Sequence, residues 1–375
     1  MAMTDRGRIL AILRGEIPDR IPWVPRLKLW HTAHAHAGTL PKELRGTTQR
    51  EAERRLGMGD AAREGRVYRV EYRDLEVRTR REGDDEITEY VTPHGVLRAR
   101  RSLAPGHAAL GFAAIFSEYP LKTEADYAAW AHVVEHTEYV PTYDEFRRYD
   151  AQVGEEGLPF VIGGDCAFHA WQIRLAGYEQ SYLHLQDFPA TVEGLIELMT
   201  AHERERLWPL LADLPAVWIQ HGVHFDSMMT PPAIFRQYIQ PYYREFAARL
   251  HARGKYLAFH LDADARLLLD EVRAAGMDVA DTFATAPLVR CTLAEARRAW
   301  GDRVVIWGGL PSTLLEDAVG EEEFEREMRA IFRTVAPGRT FILGVSDNIM
   351  PGARYDRLQR VREMVEAWGA CPLAG

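Results

Sequence analysis

The chain predicts an α/β fold, a (β/α)8 TIM barrel carrying an N-terminal β-ribbon and a helical insertion. Three observations lead there. From residue 157 onward short apolar runs alternate with long amphipathic ones, and repeated strand-helix units imply a parallel sheet. Gly254, Gly276, Gly301 and Gly338 fall where amphipathic runs stop, as left-handed caps do before the next strand. Polar residues collect at the C-terminal ends of several runs, where barrels of this class place their chemistry.

Taken in order, IPWVPRLKLW near the N-terminus holds the first candidate strand. The region 66–101 alternates in the manner of an antiparallel ribbon, with GDD and TPHG as turn signals. SEYPLKTEADYAAWAHVVEHTE reads as helical, with a cover over the barrel mouth as one use for it. LPFVIGGDC, PAVWIQHGVHFD, KYLAFHLDAD, MDVADTFA, DRVVIWGGLP and RTFILGVSDN are then six strands. The amphipathic runs between them have the period of crossover helices. Seven of eight staves are thus located, and the eighth is expected before residue 157. The domain reading is one barrel over residues 1–375 with an insertion at about 60–156. A doubly wound open sheet is the alternative for such an alternation, but neither GGD nor GGLP matches a GxGxxG or GxxxxGK[ST] nucleotide turn.

A chain of 375 residues with 47% hydrophobic content holds a large core. No apolar run approaches the roughly 20 residues of a membrane span, and MAMTDRGRILAILRG lacks the pattern of a secretory signal. A cytoplasmic protein with no membrane partner is therefore expected. Cys166, Cys291 and Cys371 are odd in number and far apart, which suits reduced thiols rather than a disulfide framework or a four-cysteine zinc module. A net charge of −9 argues against nonspecific attraction to phosphate backbones. No nucleic-acid partner is expected.

The candidate site comes from strand parity. In YLAFHLD, Leu257, Phe259 and Leu261 share one face, while Ala258, His260 and Asp262 share the other. A small residue followed by two ionisable ones suits the inner wall and mouth of a barrel. WIQHGVHFD repeats the pattern with Gln220, His224 and Asp226. His224, Asp226, His260 and Asp262 are accordingly expected to line one pocket, and HxD with HxD offers imidazole and carboxylate ligands for a divalent ion with an open position. Without an ion the same groups serve as general acid and base, and spacing does not separate the two. His260, Asp262 and Asp165 are the catalytic candidates. Arg26, Gln220, Ser346 and Asn348 are the substrate-binding ones. Asp165, Asp264 and Asp347 also read as helix caps. His221 reads as packed outside the site, and His31, His34 and His36 as a solvated loop.

The residues GRILAILRGEIPDRIPWVPRL, VTPHG, FDSMMTPPAIFRQYIQPYYREFAARLHARGKYLAFHLDAD, WGGLPSTLL and ILGVSDNIMPGARYDRLQRVREMVE together resemble the uroporphyrinogen decarboxylase superfamily. That superfamily also includes methyltransferases that move methyl groups from corrinoid proteins to thiols or folates. The resemblance implies a barrel with its pocket at the C-terminal strand ends. Two departures bear on activity. Where decarboxylases carry an arginine-rich RQAGR-like segment, this chain reads VPRLKLWHTAHAHAG and keeps only Arg26. Where zinc methyltransferases show HxC and a later Cys, it has His260-Leu261-Asp262 and Ser346, oxygen in place of sulfur, which favours a harder metal or none. The implied function is a methyltransferase or demethylase acting on a small methylated compound, with a corrinoid carried by a partner protein and a divalent metal ion as further cofactor. The alternatives are a decarboxylase of uroporphyrinogen or a smaller carboxylate, and a non-catalytic ligand-binding barrel. Oligomeric state stays open, a dimer among the options.

Overall fold

The computed structural model describes residues 2–104, 107, 112 and 114–373. They divide into two compact units. The first takes in Met1–Gly65, Phe146–Ile162 and Ala216–Gly375, and the second Arg66–Glu145 and Gly163–Pro215.

The first unit is built on a six-stranded sheet: β1 (Phe160–Gly164), β2 (Trp218–Val223), β3 (Tyr256–His260), β4 (Val279–Phe283), β5 (Val305–Leu310) and β6 (Phe341–Val345). Spatial order follows chain order, and the pairs from β2 through β6 are parallel. These strands come from the six apolar runs, and β4, β5 and β6 are buried at every position. Parallel strands covered on both faces lose their alternation for this reason. Parity still decides what each residue meets. Phe160, Trp218, Ala258, Val279, Val305, Trp307 and Ile342 share one core with Ile9, Ile12 and Leu13 of the first helix, Asp5–Leu13. Trp218 stacks on Trp307 with ring centroids 5.1 Å apart. Residues of the other parity face helices: the Phe259 ring lies 4.5 Å from Tyr243, on the helix Gln240–His251. Gly308, at φ +142°, lies so close to β4 that a Cβ there would stand 2.5 Å from the Phe283 nitrogen.

Two short segments extend the sheet edges. At 22–24 the chain runs beside β6, with Val24 N donating to Leu343 O at 2.8 Å and Leu343 N to Pro22 O at 3.0 Å. At 60–65 it runs beside β1, with Phe160 N donating to Ala62 O at 2.8 Å and a parallel bridge from Gly65 to Val161. Gly59 N also donates to Trp23 O at 2.8 Å. The crossovers stop as their glycines require, with positive φ at Gly254, Gly276, Gly301 and Gly338.

In the second unit Glu76–Glu82, Asp85–Thr92, Gly95–Ser102 and Ile115–Glu118 form an antiparallel sheet in that order. Its first two turns fall within GDD and TPHG. Tyr68–Tyr72 pairs with Thr137–Pro141. The helix Asp126–Glu135 packs Ala129 and Val133 against Leu97 of the ribbon.

One local expectation is corrected. His31, His34 and His36 lie on a helix, Lys28–Ala37, and not in a solvated loop, because Leu29, Trp30 and Ala33 bury one face and Gly38 closes it in the left-handed conformation. Among the described residues no helix is long and apolar enough to cross a membrane.

Candidate active site and metal centre

His260 is the last residue of β3, and its parity carries the imidazole inward above the apolar layer of Trp218 and Trp307. The parallel register sets Asp281 of β4 directly beside it. His260 Nδ1 donates to Asp281 Oδ2 at 2.8 Å and lies 2.9 Å from Thr282 Oγ1. Asp281 is completely buried, and Arg63 grips both its oxygens at 2.6 and 2.8 Å while donating to Gln220 Oε1 at 2.7 Å. The Arg63 guanidinium lies over the Phe160 ring at 4.8 Å, so a cation-π layer separates the core from the polar mouth.

On its other side His260 Nε2 faces two carboxylates, Asp262 Oδ2 at 3.4 Å and Asp347 Oδ1 at 3.6 Å. His224 Nδ1 donates to Asp262 Oδ1 at 2.6 Å, and Arg26 pairs with Asp347. Asn348 Nδ2 donates to Asp347 Oδ2 at 2.6 Å. His224 and Asp347 both sit at positive φ, +53° and +64°. For residues with a Cβ such backbone is costly and persists only when the surroundings hold it. Here the neighbouring strand supplies that hold at His224, whose N donates to His260 O at 3.0 Å.

The electrostatics follow from this packing. Burial alone would lower the His260 pKa, but hydrogen bonds to Asp262, Asp281 and Asp347 outweigh it and raise it to about 10. Burial opposes the charge on Asp281, yet Arg63 and His260 hold it well below the usual carboxylate range. Asp262 is likewise held low by His224 and His260 against its burial, and Asp347 by His260 and Arg26. Arg26 is lowered by burial and then by the nearby Arg63. Arg26, Arg63 and protonated His260 thus balance Asp262, Asp281 and Asp347.

His224, His260 and Asp262 come together, one ligand atom of each lying within 4.8 Å of the others. Asp226 is turned elsewhere: Oδ1 accepts from Met228 N and Met229 N at 2.7 and 3.1 Å, and Oδ2 from Asp264 N at 3.1 Å. It staples the loop after β2 to the loop after β3. Asp264 caps in the same way, accepting from Arg266 N. Gln220 lies in the site as the acceptor for Arg63. Ser346 donates to Phe283 O at 3.2 Å, tying the end of β6 to β4, while Arg26 and Asn348 meet through Asp347. His221 packs outward on Tyr242, Tyr243 and Phe246. Asp165 belongs to the second unit, where it pairs with Arg174 and lies 3.8 Å from His169 Nδ1.

Sequence reasoning missed Arg63 and Asp281 and took Asp347 for a cap. Asp281 was findable: it is the one carboxylate inside the strand VADTF, within the apolar run MDVADTFA, and charges are rarely buried unless paired. Arg63 lies in AAREGR, which carries no strand period.

The donor set fits a divalent ion. Imidazole nitrogens and a carboxylate are ordinary ligands for borderline metals, and a carboxylate behind the far ring nitrogen, as Asp281 stands to His260, is the usual second partner of a metal-bound histidine. An ion held by these residues would take the place of the Nε2 proton.

Residues 210–368 match the family model described as uroporphyrinogen decarboxylase (URO-D). No curated protein matches the chain in sequence. Among solved structures, a methyltransferase from Methanosarcina mazei superposes with a TM-score of 0.53 at 13% identity, covering 97% of this chain and 98% of that one. A ribulose-1,5-bisphosphate carboxylase/oxygenase from Pyrococcus horikoshii OT3 gives a TM-score of 0.27 at 11% identity, over 64% of this chain and 48% of the other, too distant to bear on the fold. The first is a likeness of fold. The matched segment includes His224, His260, Asp262, Asp281 and Asp347, and over residues 210–368 the chain is similar to the uroporphyrinogen decarboxylase family.

Proposed function

We propose that this chain is a metal-assisted methyltransferase or demethylase acting on a small methylated compound, with a corrinoid protein as partner, working in the cytoplasm as one closed eight-staved barrel with an insertion. The barrel reading is supported by the segments 22–24 and 60–65, which run beside the two edge strands and are joined by the Gly59–Trp23 hydrogen bond. The observation that carries the functional reading is the cluster of His224, His260 and Asp262 at the strand ends, with Asp281 behind His260. Oxygen stands there in place of the thiolates of zinc methyltransferases.

His224, His260 and Asp262 would hold the ion. When bound, it supplies Lewis-acid polarisation of an acceptor atom. The remaining roles fall to the chain itself. Asp281 holds the Nδ1 proton of His260 and so keeps Nε2 aimed at the mouth. Arg63 neutralises Asp281 and shields it from the apolar core. Arg26, 29% exposed at its side chain, stands with Asp347 at the rim, where a polar group of the substrate would meet them. The decarboxylase alternative draws on Arg26, but both guanidiniums already face carboxylates. A balanced cluster is poorly suited to a substrate bearing many carboxylates.

The test is incubation of purified protein and divalent metal with methylated corrinoid and a panel of thiol and other acceptors, followed by the corrinoid absorbance. Demethylation that His260→Ala abolishes is the expected result. No corrinoid turnover with any acceptor overturns the reading, carbon dioxide release from uroporphyrinogen favours the alternative, and affinity without turnover favours a ligand-binding barrel.

A further inference from the structure

We infer that the second unit carries a transition-metal site of its own, formed by His132, Glu135 and His136 at the end of one helix and completed by His94 from the ribbon turn. The helix Asp126–Glu135 places His132 in its last turn and is capped by His136, so the two imidazoles sit on one face at a spacing of four residues. Their ring centroids are 3.9 Å apart. One ligand atom from each of His132, Glu135 and His136 lies within 4.8 Å of the others. The His94 ring stands 6.1 Å from that of His132, and it reaches the cluster from the turn between Asp85–Thr92 and Gly95–Ser102.

The hydrogen bonds prepare these groups for an ion. His136 Nδ1 lies 2.8 Å from the His132 carbonyl oxygen. A carbonyl only accepts, so Nδ1 carries the proton and Nε2 keeps its lone pair for a ligand. Among the described residues neither the His132 ring nor the Glu135 carboxylate has a hydrogen bond or an ion pair. The site also lies at the negative end of the helix dipole, which favours a cation.

Three imidazoles and one carboxylate select zinc, cobalt or nickel. Calcium and magnesium demand an oxygen-rich shell that these residues do not offer. His132-Val133-Val134-Glu135-His136 also has the H-x-x-E-H spacing of one class of zinc sites, and we assign it binding and no hydrolysis. Bound through His94, the ion would staple the helix end to the ribbon turn, on top of the Leu97, Ala129 and Val133 packing already there.

Full-length protein, stripped with chelator, is titrated with cobalt and read by visible absorbance, with zinc content measured after dialysis. Because the His260 cluster is itself a proposed ion site, the decisive titration is done on His260→Ala. That protein should still bind one equivalent, and the triple variant that adds His132→Ala and His136→Ala should bind none while keeping its far-ultraviolet circular dichroism. His94→Ala should weaken that equivalent by tenfold or more, on the order seen when metal-site partners are removed. Zinc should raise the melting temperature of His260→Ala but not of the triple variant. Equal binding in the two proteins, or no binding by His260→Ala at micromolar concentrations, overturns the assignment and leaves the His260 site untouched.

Discussion

Asp281→Asn is the sharpest perturbation of the site, because one buried carboxylate there serves two cations. Its oxygens lie 2.6 and 2.8 Å from the Arg63 guanidinium and 2.8 Å from His260 Nδ1, and its side chain has no exposure. Asn keeps the volume and removes the charge. Arg63, 12% exposed, and His260, 8% exposed, are then left as buried cations with no carboxylate between them. Removing one partner of a buried pair costs about 3–5 kcal/mol, since the other charge stays desolvated and uncompensated. Set against a typical total of about 5–15 kcal/mol, the loss is large but leaves a folded population to measure. Replacing both partners, Arg63→Met with Asp281→Leu, removes the charge problem and should recover at least half of the loss. Urea unfolding followed by tryptophan fluorescence reads the right region, because the stacked Trp218 and Trp307 lie beneath Arg63. Asp281→Asn within about 0.5 kcal/mol of wild type, the range of an ordinary surface change, refutes the reasoning. So does a double variant no more stable than the single one.

Three further outcomes follow from the same geometry. In metal-free protein the His260 pKa is raised from 6.5 to about 10, so its contribution is fully present below pH 6.5 and is lost as pH rises toward 10. Asp281 and Asp262 are depressed from 3.8, so theirs is present above that value and is lost as pH falls through their folded values. Unfolding free energy should decline on the alkaline side by an amount on the order of a few kcal/mol, and an identical alkaline limb in His260→Gln would remove His260 as its cause. Elemental analysis should find metal content sharply lower in His260→Ala and Asp262→Ala but unchanged in Asp226→Ala, whose carboxylate is committed to backbone nitrogens; equal content throughout, or none in any, sinks the ligand set. Gly308→Ala, with its Cβ 2.5 Å from the Phe283 nitrogen, should cut soluble yield and the urea midpoint severely, whereas Gly15→Ala, at positive φ with open space around it, should cost about 1 kcal/mol. Comparable losses in the two would refute the steric account.

The sequence by itself determined which runs are strands and which way His260 points. Hydrophobic period and glycine caps are local properties, and they located β1 to β6 and the crossovers between them because each element must bury its own apolar face. Parity then put His260 on the face of Ala258, away from Phe259 and the helices. The edge segments at 22–24 and 60–65 were harder, since they make only isolated bridges and 60–65 has no alternation to read. What completes the candidate site was decided by tertiary structure alone. Arg63 reaches Asp281 across 218 positions of chain and Arg26 reaches Asp347 across 321; nothing within a window of sequence encodes a partner so distant. Asp226 and Asp262 occupy equivalent places after neighbouring strands, yet one bonds backbone nitrogens and the other two histidines. The difference lies in how each loop turns, and that follows from the strand packed beside it.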